Sequence, residues 1–177
     1  MTGRYIITGG PGSGKSTLLE ALHHEGYRCY REVSRELIRE QLSRPEGVLP
    51  WQNLPAFARL AFDAMKRQHE HAKGRDGICF FDRGIPDVFG YLEASGYPLE
   101  TEYLEAHAKC SYSKTVFVLP PWPEIFVNDR ERPQTYRQSV VLYHALCKVY
   151  ERLGYERCEV PKTSVRDRAA FLLSFIK

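Results

Sequence analysis

Apolar residues along the chain alternate between two rhythms. Short runs rich in β-branched and aromatic residues read as strands at 4–8 (RYIIT), 27–33, 77–82 (GICFFD), 115–119 (TVFVL) and 155–160. Between them, apolar positions recur at the spacing of a helix face. Residues 16–25 set Leu18, Leu19 and Leu22 on one side, and Gly26 ends the segment. Ser34 is placed to cap a helix over 34–42. Segment 54–72 carries Phe57, Leu60, Ala61, Ala64 and Met65 at helical period. Pro86 opens a helix over 86–94, and another follows over 100–109. A long helix over 134–153 turns Val141, Leu142, Ala145, Leu146 and Val149 inward, and a last helix spans 165–176. Strand and helix alternate throughout, which predicts an α/β protein: a parallel sheet with helices on both faces. The run 77–82 is apolar without interruption until its final acid, as a central strand covered on both sides requires.

Length and composition narrow the class. At 177 residues the chain suits one domain spanning 1–177, and 43% hydrophobic with 27% charged residues is ordinary for a globular protein. A net charge of +3 is too mild for a nucleic-acid-binding surface. Five cysteines without a C-x-x-C pair argue against a disulfide framework, and His69 and His71 are spaced to point to different sides of a helix, so zinc is not expected. The sequence enters a strand at once, without a signal peptide, and no apolar stretch is long enough to span a bilayer. A cytoplasmic protein without membrane or nucleic-acid partners is the expectation.

One motif carries chemistry directly. Residues 9–16 read GGPGSGKS and fit G-x-x-x-x-G-K-[ST]. Gly9, Gly10, Pro11, Gly12, Ser13 and Gly14 can curl so that successive N–H groups face an anion, while Lys15 brings a cation to the β and γ phosphates. Ser16 offers a hydroxyl to Mg²⁺, and the helix beginning at Ser16 and Thr17 aims its positive end at the same phosphates. A strand before and a helix after are the context this P-loop needs. A nucleoside triphosphate with Mg²⁺ is the predicted ligand.

Three further features bear on what happens to the γ-phosphate. Asp82 ends the third strand, at the carboxyl edge where α/β sheets collect ligands, and is placed to hold Mg²⁺ directly or through water; Arg83 follows it. Glu32 closes the second strand and is placed to accept a hydroxyl proton, with Arg35 near a substrate anion or Glu32 itself. The polar segment 128–133 (NDRERP), inside a lid of about 121–135, supplies Arg130 and Arg132 to neutralise charge on the group in flight, or one of them to stack on the base.

Taken together, the phosphate loop, E-x-x-R from Glu32 to Arg35, D-R at Asp82 and Arg83, and arginines before a long helix resemble the nucleoside and nucleotide kinase branch of P-loop proteins. Within that branch the chain resembles an AAA-type predicted ATPase family that includes the ribosylnicotinamide kinase domain of a bacterial NAD-biosynthesis regulator. Its ending, GYERCEVPKTSVRDRAAFLL, is similar to that family's last strand, proline and helix. The resemblance implies a three-layer fold with a five-stranded parallel sheet in the order 2-3-1-4-5, ATP with Mg²⁺ as donor, and an acceptor pocket between the second strand and the 54–72 helix. It further implies that Pro161 borders the base, that Arg83 and Arg35 sit at the substrate, and that Glu32 or Asp82 is the catalytic carboxylate.

The expected activity is phosphoryl transfer from ATP to a small-molecule acceptor such as a nucleoside, nucleotide or cofactor precursor. The alternative is a nucleotide-binding ATPase or regulatory switch acting on a protein partner. A GTPase is disfavoured because no N/T-K-x-D motif follows a strand, and a hexameric motor because the chain lacks length for the usual small helical domain.

Overall fold

The carboxyl ends of five parallel strands form the edge on which the phosphate loop sits. The computed structural model describes residues 2–127 and 134–176. Its strands β1 (Gly3–Gly9), β2 (Arg28–Tyr30), β3 (Ile78–Asp82), β4 (Thr115–Leu119) and β5 (Glu156–Glu159) lie in the order β2-β3-β1-β4-β5. The helices are α1 (Lys15–His24), α2 (Val33–Leu42), α3 (Leu54–Lys73), α4 (Ile85–Ala94), α5 (Thr101–Ala108), α6 (Tyr136–Arg152) and α7 (Val165–Ser174).

Neighbouring strand residues point to opposite layers, so the central strands are apolar on both faces. Ile7, Phe117 and Leu119 pack under α1 and α7 with Leu18, Leu22 and Leu172. Ile6, Val116 and Val118 face the other way, onto Tyr143, Cys147 and Tyr150 of α6. A third cluster joins α2, α3 and α4 through Ile38, Phe57, Phe62 and Phe89. Each of these large side chains, almost wholly removed from water, contributes about 1.5–3 kcal/mol of transfer free energy.

The second strand is shorter than its pattern suggests. β2 is an edge strand that pairs with β3 only from Arg28 to Tyr30. The carbonyl of Arg31 instead accepts a hydrogen bond from Gln68 Nε2 of α3 (2.8 Å), which draws the chain off the sheet. Glu32 therefore does not close a strand. It is the extended N-cap of α2, and Ser34 lies inside the helix rather than capping it. In α6 the buried stripe is Leu142, Tyr143, Leu146, Cys147, Val149 and Tyr150, and Val141 is 53% exposed, contrary to the expected inward face. Two polar tips, Tyr143 and Tyr150, displace it because each hydroxyl finds a carboxylate, Tyr150 the buried Asp87 and Tyr143 the exposed Glu159 at the rim. No helix of the described residues is long and apolar enough to cross a membrane.

At the sheet edge remote from the phosphate loop, His107 is buried against Phe89, Tyr112 and Tyr155. Burial, aided by nearby His69, pushes its imidazole down to about 4. The folded state thus keeps His107 neutral where the unfolded chain, titrating at the ordinary value of 6.5, binds a proton. Stability is present above pH 6.5 and lost as pH falls toward 4, by roughly 3 kcal/mol from this residue. Urea melts at pH 7 and pH 5 check it. His107→Gln should reduce the acid-side loss by about 2 kcal/mol, and an undiminished loss would assign it elsewhere.

Candidate active site

The loop between β1 and α1 is held by close approaches that leave no room for side chains. Ser139 Oγ of α6 donates to the carbonyl of Pro11 (2.8 Å), and a Cβ on Gly10 would stand 2.2 Å from Ser139 Oγ. Gly12 takes a left-handed φ of 72° against the ring of Phe126, a conformation other residues resist. Ser13 Oγ donates to the carbonyl of Gly10 (2.9 Å). Lys15, 3% exposed, donates from Nζ to the carbonyls of Gly9 (3.0 Å) and Gly10 (2.8 Å). Ser16 and Thr17 stand exposed on the first turn of α1, which has no acidic residue, so the helix's positive end is available to an anion.

The β1–β3 register pairs Ile7 with Asp82, which sets Asp82 beside this loop. Asp82 is 4% exposed, and its Oδ1 has no hydrogen-bond partner among the described residues. Burial raises its carboxyl above the ordinary range, against the pull of Lys15 and Arg83. The next residue turns the chain sharply. Arg83 has a φ of 72°, the one positive φ outside glycine among the described residues, and its N–H donates to the carbonyl of Ile7 (3.0 Å). The turn sends the guanidinium inward, where it lies over the ring of Tyr91. Nε donates to Glu32 Oε1 (3.1 Å), and Nη1 donates to the Gly9 carbonyl (3.0 Å) and to Asp87 Oδ1 (3.1 Å). One side chain thereby ties the strand ends of β1 and β3 to the start of α2.

Asp87 is the hub beneath it. Its Oδ2 accepts from the backbone N–H of Gly84 (2.9 Å) at the N-terminus of α4, and from Tyr150 (2.5 Å). Its Oδ1 accepts from Thr8 (2.5 Å) as well as from Arg83. Nothing in its local pattern singles it out, because an acid three residues into a helix, after Gly84 and Pro86, is an ordinary cap. The signal that does exist is an acid set among apolar residues in the first half of the helix, IPDVFG.

Two cavities meet at Glu32 and Arg35. One is a cleft of 500 Å³ that Ser16 and Asp82 also line. A serine hydroxyl and a buried carboxylate with an unpartnered oxygen fit a hard, oxygen-seeking cation such as Mg²⁺. The other is a narrow cavity of 60 Å³ between α2, α3 and α4, walled by Ile38, Phe57, Met65 and Val88, with Arg83 at its polar end. Pro161 follows β5 in an exposed turn. Arg130 and Arg132, the lid arginines, lie outside the described residues; of the lid segment, Pro123–Ile125 forms one 3₁₀ turn.

A glycine-rich strand–loop–helix at the carboxyl edge of a parallel sheet ordered 2-3-1-4-5 defines a P-loop nucleotide-binding fold of the nucleotide-kinase type. The comparisons with known proteins agree. The AAA domain family AAA_28 matches residues 4–168, and the chain belongs to that family. Among solved structures it is similar to NadR protein in complex with NR, at 15% identity and a TM-score of 0.74, over 98% of this chain and 49% of that one. Thymidylate kinase from Candida albicans gives 15% identity and a TM-score of 0.73 over 99% and 91% of the two chains. Deoxyadenosine kinase from M. mycoides with bound dATP gives 14% and 0.69 over 98% of each. A search of curated proteins finds no match.

Proposed function

We propose that the protein transfers the γ-phosphate of ATP to a hydroxyl of a small-molecule acceptor. The observation that carries this reading is the position of Glu32, 8% exposed, on the border between the cleft of Ser16 and Asp82 and the apolar cavity beyond it. A switch needs a phosphate loop; it has no need of a carboxylate between that loop and a second, apolar room. That the solved structures of this fold include kinases of deoxyadenosine and thymidylate, and a shikimate kinase with shikimate, supports the same reading.

In this account the loop from Gly9 to Thr17 holds the phosphate chain and Lys15 leaves the loop carbonyls for the β and γ oxygens. Ser16 and Asp82 hold Mg²⁺, which when bound supplies counter-charge to those oxygens. The acceptor's apolar body lies against Phe57 and Met65, widening a cavity that otherwise takes a few waters. Its hydroxyl oxygen bonds to the γ-phosphorus as the bond to the β-bridging oxygen breaks, and the hydroxyl proton passes to Glu32. Arg83 fixes the Glu32 carboxylate, and Arg35 borders both ligands. Asp82, whose carboxylate faces the loop rather than the apolar cavity, acts on the metal and not on the acceptor.

The test is Glu32→Gln. Loss of the base should lower acceptor-dependent turnover about 100-fold or more, while the calorimetric affinity for ATP stays near wild type. Undiminished turnover would remove Glu32 from the reaction.

A further inference from the structure

Arg168 has no part in the reaction as described, yet its surroundings are those of a ligand-binding group. It lies on the first turn of α7 and is 5% exposed. Its Nε and Nη1 are both buried without a hydrogen-bond partner, and no ion pair among the described residues involves it. The guanidinium stacks over Trp122, 5.5 Å from the ring centroid. Its other side presses on the phosphate loop: a Cβ on Gly14 would stand 2.8 Å from Nη1 and 3.6 Å from Nη2.

An arginine stays charged in any protein, so burial without an acceptor is costly unless an anion is bound. The ring of Trp122 offsets part of that cost through its face but accepts none of the in-plane N–H groups. Burial lowers the Arg168 pKa, with no carboxylate among the described residues acting against it. The other buried arginine of the site, Arg83, is by contrast bonded to two carboxylates. Buried charge of one sign, unpaired and set against Gly14 one residue before Lys15, is complementary to a polyphosphate.

The geometry points to Arg168 as a second fixed cation of the nucleotide site, supplied by α7, that acts on the phosphate chain held by the loop. This inference rests on the loop being a triphosphate site, as proposed above. It makes α7 a binding element rather than only a covering helix. It also implies a trade-off in which the same charge that favours the bound phosphate chain weakens the fold without it.

Calorimetry with ATP and with inorganic tripolyphosphate, on wild type, Arg168→Met and Arg168→Lys, tests it. Arg168→Met should bind both probes about tenfold or more weakly, and Arg168→Lys should recover a large part of that loss. Without ligand, Arg168→Met should melt about 2 °C or more above wild type, because an unpaired buried charge has gone. Affinities for both probes within about twofold of wild type would overturn the inference, as would a loss confined to ATP, which would place Arg168 on the nucleoside. If Arg168→Met does not fold, Arg168→Gln replaces it: glutamine weaker than lysine by the same factor supports the inference, and equal affinities overturn it. Failure of wild type itself to bind either probe would instead remove the triphosphate site on which both readings stand.

Discussion

Lys15→Ala is expected to lose tight triphosphate binding and to keep its fold. Charge-assisted hydrogen bonds to phosphate oxygens are worth about 1.5–3 kcal/mol each, so losing a cation that serves two phosphates should weaken ATP about 100-fold or more. The fold should survive for a specific reason. The carbonyls that Lys15 serves each have another donor: Arg83 Nη1 for Gly9, and Ser13 Oγ for Gly10. Removing the ammonium therefore orphans neither of them. Calorimetry alongside a thermal melt checks both halves, and ATP affinity near wild type would refute the site assignment.

Asp87→Ala should have the largest effect on stability of any single change near the site. It removes the acceptor of four donors: the Thr8 and Tyr150 hydroxyls, Arg83 Nη1 and the Gly84 N–H. All three side chains are buried, with Thr8 and Tyr150 at 0% exposure. Breaking a buried charge pair and orphaning its partners costs about 3–5 kcal/mol. For a chain of this size that lowers the melting temperature by about 10–15 °C. Tyr150→Phe, which removes one donor and leaves Asp87 otherwise satisfied, should cost about 1 kcal/mol and serves as the control. A melting temperature for Asp87→Ala within about 3 °C of wild type would mean that the network contributes little.

The contrast between these two residues explains what was legible in the sequence. Lys15 belongs to a contiguous motif whose chemistry is local: glycines, a lysine and a serine at fixed spacing act on one ligand. The sheet was legible for a similar reason, since each strand announces itself by β-branched and aromatic residues, and the helices between them force a parallel arrangement. Asp87 draws its partners from residues 8, 83, 84 and 150, which only the fold brings together. The resemblance sets Arg83 at the substrate; its left-handed φ, invisible in the sequence, turns it inward onto Glu32. Hydrophobicity alone turns Val141 of α6 inward ahead of Tyr143 and Tyr150, whose hydroxyls reach acceptors that only the fold supplies, Glu159 at the rim and Asp87 in the core. Arg168 carries no signal in the sequence, because a charged residue near a helix start usually points to water.

Glu32 lies between these cases. Its type and place suggested a base, but the sequence left it level with Asp82. The proposed reaction gives them different parts because Glu32 borders both cavities and Asp82 only the one beside Ser16. That difference is physical: a proton acceptor must touch the acceptor's room, whereas a metal ligand needs only the phosphate's.

The most direct test of the account follows the γ-phosphate itself. ATP labelled at that position is mixed with the protein, Mg²⁺ and a panel of hydroxylated small molecules in a single turnover, and the label is traced. The label should leave on one organic acceptor in step with ADP. Label recovered only as inorganic phosphate, at a rate that no small molecule changes, would contradict that transfer.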